Sequence, residues 1–198
     1  YVGDINDPSV GSTTITIRNS DDGRVIPIIE AKAGSNENGS CRASGAGIGS
    51  GGNTLNKTTI NIEGGEITAT GGVSLDSRNH SDERLSGAGI GSGSSDTKDD
   101  SKKGAVTINI TDGTIEKAEG KNGGAGIGSG YYGRSSTVNI SGNAELKDVR
   151  GGNLAAGIGS GYDSDKVDVV IDGGTINATG GDSAAGIGSG LNSRSSVT

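Results

Sequence analysis

The amino-acid sequence predicts an all-β fold: a right-handed parallel β-helix of about five coils, with three short strands in each coil and no long helix. Three observations lead to this prediction. A glycine-rich motif recurs five times, apolar and polar residues alternate between its copies, and the large apolar side chains fall at equivalent positions of each repeat. Recurrence on this scale is typical of solenoids. The handedness is taken from the general preference of parallel crossover connections.

The repeated motif is Gly-Ala-Gly-Ile-Gly-Ser-Gly, first seen at residues 45–51. Glycine at alternate positions would cost a helix about 1 kcal/mol each, so we interpret the motif as the third strand of a coil. Alanine, isoleucine and serine are predicted to face inward, and the outward glycines to leave a bare face that another backbone or a flat ligand can approach. Because Ala155 and Ala184 replace the first glycine in two copies, that column is predicted to keep negative φ. The central isoleucines, separated by 42, 37, 31 and 29 residues, form the predicted core ladder: Ile48, Ile90, Ile127, Ile158 and Ile187.

A second block recurs between the glycine motifs, for example at residues 59–69. Its apolar residues alternate with period two and many are β-branched, which predicts strands. A Gly-Gly, Asp-Gly or Gly-Asn pair then marks a tight corner before a short second strand. Successive coils should lie about 4.8 Å apart, with equivalent residues above one another.

The repeats define one domain over residues 1–198, with coils at about 13–51, 52–93, 104–130, 131–161 and 162–190. Residues 191–198 repeat the start of a coil, so we expect the chain to be a piece of a longer protein. Three inserts, at 34–43, 73–85 and 94–103, lengthen the early coils, and inserts of this kind often carry function on solenoids.

The composition argues against several classes of function. The net charge is −7 and there is no basic stripe, so nucleic acid is not an expected partner. No apolar run approaches the ~20 residues of a transmembrane helix. The single cysteine, Cys41, excludes an internal disulfide framework and a cysteine-based zinc cage. The glycine motif lacks the lysine and the following helix of nucleotide-binding loops.

Tyrosines form the candidate ligand site. Tyr131 and Tyr162 each follow a glycine motif directly, so they should occupy one column on neighbouring coils, which Leu191 continues. A tyrosine joins an apolar face to a polar tip, so a stacked pair with hydrogen-bonding neighbours could bind a sugar. The alternative, which we favour from the sequence, is that the two tyrosines cover the corner next to the third strand of the coil. The candidate ligand-binding residues are Tyr131, Tyr162, Arg134, Asp163 and Arg194.

The first strand of each coil offers a second candidate surface, a regular array of threonine and asparagine. Such an array could dock on ice or on a crystalline polysaccharide, but a soluble outer face of β-forming residues is the simpler interpretation. Asp168 and Val170 interrupt it.

The sequence contains no catalytic motif, so the enzyme hypothesis is disfavoured. Asp21-Asp22 and Asp99-Asp100 are neighbours in loops, and His80 alone supports no triad. Asp163, Asp165 and Asp168 could ligate Ca²⁺ through oxygen, although the EF-hand glycine is missing; no other cofactor is expected.

The copies of Ala-Gly-Ile-Gly-Ser-Gly, with Asn-Ile-x-Gly-Gly-x-Ile between them, resemble repeat regions of large secreted or wall-attached proteins of Gram-positive, often gut-dwelling, bacteria. The resemblance implies a secreted or cell-surface segment with a structural, adhesive or glycan-binding role. The alternative is a carbohydrate-binding module, or part of a β-helical enzyme that processes polysaccharides. The implied partners are host or cell-wall glycans, or other parts of the parent protein.

Overall fold

The computed structural model describes residues 11–35, 43–75, 84–97 and 104–198. Within these residues the structure is built from strands and turns. The strands are β1 (Ser12–Arg18), β2 (Ile28–Lys32), β3 (Ile48–Gly49), β4 (Lys57–Thr70), β5 (Val73–Leu75), β6 (Arg84–Ser86), β7 (Ile90–Gly91), β8 (Val106–Glu119), β9 (Ile127–Gly128), β10 (Ser136–Arg150), β11 (Ile158–Gly159), β12 (Val167–Thr179), β13 (Ile187–Gly188) and β14 (Ser195–Val197).

Strands of successive coils pair in parallel and form two sheets. The larger sheet has the order β1-β4-β8-β10-β12-β14, with β2 also paired to β4. The second sheet has the order β13-β11-β9-β7-β3. Each strand therefore lies beside its equivalents in the coils before and after it, which confirms the parallel β-helix predicted from the sequence.

The first and second predicted strands of most coils run together as one long strand. In coil two, β4 passes through Gly64 and Gly65, whose φ angles are +156° and +93°. Coil one keeps the two strands apart: β1 pairs with the first half of β4 and β2 with the second half. Glycine takes these angles at little cost, so the backbone can change direction here; the pairing with β8 is interrupted at the corner and resumes at Glu66.

Isoleucine, valine, leucine and alanine fill the interior as ladders of equivalent residues. The central isoleucines pair in register, Ile48 with Ile90, Ile90 with Ile127, and onward through Ile158 to Ile187. Each fully buried isoleucine contributes roughly 1.5–3 kcal/mol, so a thin core still stabilises the stack. Four further ladders line the large sheet: Ile15, Ile60, Ile108, Val138 and Val169; Ile17, Ile62, Ile110, Ile140 and Ile171; Ile29, Ile67, Ile115, Leu146 and Ile176; and Ala31, Ala69, Ala118, Val149 and Ala178.

Each glycine motif is a closed loop with a two-residue strand at its tip, where a longer third strand was expected. The alanine N–H donates to the serine carbonyl four residues later, as in Ala88 to Ser92 at 3.0 Å, and all five copies do the same. The isoleucine at the tip enters the core, whereas the buried alanines lie outside the main apolar cluster. The serine hydroxyl accepts the N–H of the last motif glycine in the next coil, as in Ser92 from Gly130 at 3.0 Å.

Most motif glycines face the neighbouring coil, which corrects the expectation of a bare face open to a ligand. The third glycine of each copy has φ between +132° and +139°. A Cβ atom on Gly49 or Gly91 would lie 1.9 Å from the carbonyl oxygen of the equivalent glycine in the next coil. The first motif glycines, by contrast, do not have positive φ, in line with the alanines that replace two of them.

The insert of coil two begins and ends in a small antiparallel ladder. β5 pairs with β6, so Val73 lies opposite Ser86. Among the described residues, no helix has the length and apolar character needed to cross a bilayer.

Candidate functional site

The turn that follows each glycine motif positions the tyrosines. Backbone hydrogen bonds join this turn from coil to coil: Tyr132 N–H donates to the Tyr162 carbonyl at 3.1 Å, and Asp163 N–H donates to the Leu191 carbonyl at 3.0 Å. Tyr131, Tyr162 and Leu191 therefore occupy one column. Tyr132 and Asp163 occupy the next position of the turn.

Three tyrosine rings pack together at this turn, and we call Tyr131, Tyr132 and Tyr162 the tyrosine cluster. The centroids of Tyr131 and Tyr132 lie 4.5 Å apart with an interplanar angle of 80°, an edge-to-face contact. Tyr131 and Tyr162 lie 4.8 Å apart, and Tyr132 and Tyr162 6.4 Å apart, both tilted. Aromatic pairs in such arrangements are worth about 0.5–1.5 kcal/mol beyond the area they bury.

The three tyrosines of the cluster differ in burial. Tyr131 is only 4% exposed. Its ring lies over Gly123, where an added Cβ would come within 2.4 Å of Tyr131 Cδ2. Tyr132 and Tyr162 are half-buried and keep part of their surface in solvent. Tyr131 thus supports the cluster, and its two neighbours present the accessible surface.

Tyr132 has a left-handed backbone conformation, with φ +50°. The equivalent positions of other coils, Asn53, Asp163 and Asn192, have φ between +47° and +57°. Asparagine and aspartate tolerate this region, whereas a bulky residue there is an outlier that costs about 1–2 kcal/mol. Tyr132 is thus held in a strained conformation at a position where a small polar residue would fit.

The sequence reasoning missed Tyr132 as a site residue. The available signal was the Tyr131-Tyr132 pair itself, aligned with Tyr162-Asp163 and Leu191-Asn192. Comparing the second position of each turn would have shown a tyrosine where its equivalents are small and polar.

The charged candidates Arg134, Asp163 and Arg194 belong to the turns that follow the glycine motifs. Asp163 directly follows Tyr162 and is half-buried, and Arg194 is exposed. Arg134 lines a shallow cleft with Asn53 and Ser95 on the coil-one side of the cluster.

Asp168 belongs to the nearby strand β12. Its Oδ1 lies 2.6 Å from Lys166 Nζ. Hydrogen bonds from Lys166 and then from the Ser196 hydroxyl lower the pKa of the Asp168 carboxyl. Asp168 is thus engaged in local pairs.

The structure adds little support for the metal and catalytic candidates named from the sequence. Across the described ranges, no three histidine, cysteine, aspartate or glutamate side chains gather where they could hold a metal ion. Asp22 accepts a hydrogen bond from Ser20 at 2.6 Å and lies 3.6 Å from Arg24. His80, Cys41 and the Asp99-Asp100 pair lie outside the described residues.

The threonine and asparagine array is a ladder of side-chain hydrogen bonds. Asn109 Nδ2 donates to Asn61 Oδ1 at 2.9 Å, and Asn139 Nδ2 donates to Asn109 Oδ1 at 2.8 Å. Thr14, Thr59, Thr107 and Thr137 pair in register beside it. The amides thus bind one another across the coils, which stabilises the stack and makes this face regular.

Replacing Val170 with asparagine should extend this ladder. Val170 is 42% exposed and pairs with Asn139. An amide there can donate to Asn139 Oδ1, so we expect a gain of about 0.5–1 kcal/mol, reduced by the weak strand preference of asparagine. Calorimetry should show Tm rising by about 1–4 °C for a chain of this size. Val170→Asp is the matched control, because it has no donor for Asn139; equal Tm values for the two variants would contradict the proposed hydrogen bond.

The comparison with protein families agrees with this geometry. Residues 60–94, 108–131 and 169–191 match a family model described as a beta helix repeat. The chain carries a β-helix repeat region. The matched segments end at Ser94, Tyr131 and Leu191, which are equivalent positions in the turns of coils two, three and five, so each match ends at the same point of the structural coil. Neither the curated proteins nor the solved structures include a match to this chain.

Proposed function

We propose that this β-helical segment belongs to a secreted or cell-surface bacterial protein and serves as a rigid scaffold that binds glycan at the tyrosine cluster. The observation that carries the proposal is the strained Tyr132 beside Tyr162. Backbone strain persists where the surroundings hold it, and it concentrates at functional sites. Packing alone would be met by Tyr131 and Tyr162, with a small polar residue between them as in the other coils.

The β-helix is suited to presenting a binding surface because its buried polar side-chain atoms are hydrogen-bonded within the protein. Every buried side-chain nitrogen and oxygen of the described residues has a hydrogen-bond partner. Serine hydroxyls and backbone groups link each coil to the next, and asparagine amides link coils two, three and four. A surface held by such repeated links keeps its shape, which lowers the entropic cost of binding.

The chemistry of the cluster suits a neutral sugar. Tyr132 and Tyr162 offer partly exposed ring surface for the C–H face of a pyranose. The Asp163 carboxylate and the Asn192 amide lie beside them and can bind hydroxyl groups. The net charge of −7 works against strongly anionic polysaccharides at long range.

Tyr132→Asn tests the proposal without unfolding the protein. Relief of backbone strain stabilises this variant, and loss of the edge-to-face pair with Tyr131 destabilises it by a similar amount. We therefore expect a free energy of unfolding within about 1 kcal/mol of that of the unmutated protein. Binding on a glycan array should fall at least tenfold. Tyr162→Ala should also lose binding, whereas Thr59→Ala on the first-strand face should retain it.

Two results would count against the proposal. If the unmutated protein binds no glycan on the array, glycan binding is excluded and only the structural scaffold role remains. If it binds glycan and Tyr132→Asn binds equally well, the site lies elsewhere.

A further inference from the structure

The tyrosine cluster is part of a strip that runs parallel to the helix axis. Backbone hydrogen bonds connect the turns in order: Ser95 N–H to the Tyr131 carbonyl at 2.9 Å, then Tyr132 to Tyr162 at 3.1 Å. Asp163 to Leu191 at 3.0 Å continues the series. Equivalent residues therefore rise by one strand spacing, about 4.8 Å, per coil.

Exposure along this strip changes in one direction. On the coil-two side, Ser94 and Ser95 are 1% and 3% exposed, so the surface is closed there. Tyr132 and Tyr162 are half-buried, and Leu191 is 37% exposed. The accessible apolar surface thus begins at Tyr132 and continues through Tyr162 to Leu191.

Polar groups accompany the apolar side chains of the last two coils. Asp163 stands beside Tyr162, and Asn192 stands beside Leu191. Asn192 Nδ2 also lies 3.4 Å from the Tyr162 hydroxyl, so the two turns are in contact. The coils of Tyr162 and Leu191 therefore repeat one combination, an apolar side chain followed by a hydrogen-bonding residue, whereas Tyr132 itself occupies the second position in its coil.

We propose that this strip binds an unbranched, extended oligosaccharide of neutral sugars parallel to the helix axis, with one sugar ring for each coil. The inference rests on the proposed glycan-binding function and adds the orientation of the bound glycan. The rise of one coil is close to the length that one pyranose adds to an extended chain. Three sugars then fill the positions of Tyr132, Tyr162 and Leu191, and a fourth has no further apolar position on the closed side at Ser94 and Ser95.

The test varies the number of sugar units in the oligosaccharide. Isothermal titration with β-1,4-linked glucose and N-acetylglucosamine oligomers of two to five units should show affinity that rises from the dimer to the trimer and then levels off. Leu191→Tyr should raise affinity for the trimer by about three- to tenfold, because it adds a ring at the third position, and raise affinity for the dimer by less. Thr175→Tyr places a ring on exposed strand β12, away from the strip, and should change neither.

The outcomes separate the two proposals. Equal affinity for all lengths, or a Leu191→Tyr variant that binds the trimer no better, overturns the axial orientation even though glycan still binds. If these oligomers do not bind, but other glycans bind in a Tyr132-dependent manner, the orientation is likewise overturned and the proposed function stands. If no glycan binds at all, the proposed function itself fails, and the orientation with it.

Discussion

Ile127→Asp is expected to abolish the folding of the central coils. Ile127 is fully buried and lies in register between Ile90 and Ile158. The substitution removes roughly 1.5–3 kcal/mol of apolar burial, and an unpaired buried polar group adds about 2–7 kcal/mol. Since a typical domain is stable by only 5–15 kcal/mol, we expect Tm to fall by more than about 10 °C, or the cooperative transition to disappear.

Neighbour coupling should spread this effect through the stack. In a solenoid each coil is stabilised by the coils on either side, so loss of a middle coil removes a partner from two others. Thr175→Asp is the matched control, because it adds the same charge at an exposed position of β12; repulsion from Glu145 in the neighbouring strand should lower Tm by no more than about 4 °C. Circular dichroism with thermal melting distinguishes them. Equal melting of Ile127→Asp and Thr175→Asp would show that the isoleucine ladder does not hold the coils together.

Much of the architecture could be predicted because the apolar positions repeat. A residue such as Ile108 can be aligned with Ile60 by sequence alone, and parallel stacking then places them in contact. Period-two alternation also separates the inward Ile62 from the outward Asn61. Strand identity, coil order and core composition all follow from these two patterns.

The shape of the glycine motif could not be predicted in the same way. Alternation of glycine with other residues resembles a strand, but glycine also allows φ values that no pattern of polarity encodes. The hydrogen bond from Ala88 to Ser92 closes a loop, and only Ile90 and Gly91 remain in the ladder. The glycine that follows the isoleucine is required for the close approach of the next coil.

The candidate site was predicted only in part for a similar reason. Tyr131 and Tyr162 follow the motif directly, so their column was apparent. Burial of Tyr131 depends on the bare Cα of Gly123 and on the rings of Tyr132 and Tyr162, contacts that the repeat pattern does not specify. The importance of Tyr132 depends on a backbone angle, which appears in the sequence only as a departure from asparagine or aspartate.

Gly128→Ala should destabilise the protein nearly as severely as the loss of a core side chain. Gly128 has φ +134°, a region that L-residues rarely adopt. A Cβ there would lie 2.0 Å from the Gly159 carbonyl oxygen, which belongs to the backbone of the next coil and cannot rotate away. The coils must separate locally and break the bonds from Ile127 N–H to Gly157 and from Ser129 N–H to Gly159. We expect a loss of about 3–5 kcal/mol, seen as a fall in Tm of about 6–20 °C.

Gly51→Ala provides the control from the same motif. Gly51 is exposed, its φ lies outside the left-handed region, and an added Cβ meets no atom within 4 Å. Because alanine also narrows the conformations of the unfolded chain, this variant should be neutral or up to about 1 kcal/mol more stable. Gly188→Ala separates the two causes: its φ is +133°, but its nearest contact is Ala185 Cβ at 3.4 Å. An intermediate loss at Gly188 would assign the remainder at Gly128 to the contact between coils, whereas equal losses would assign all of it to the backbone angle.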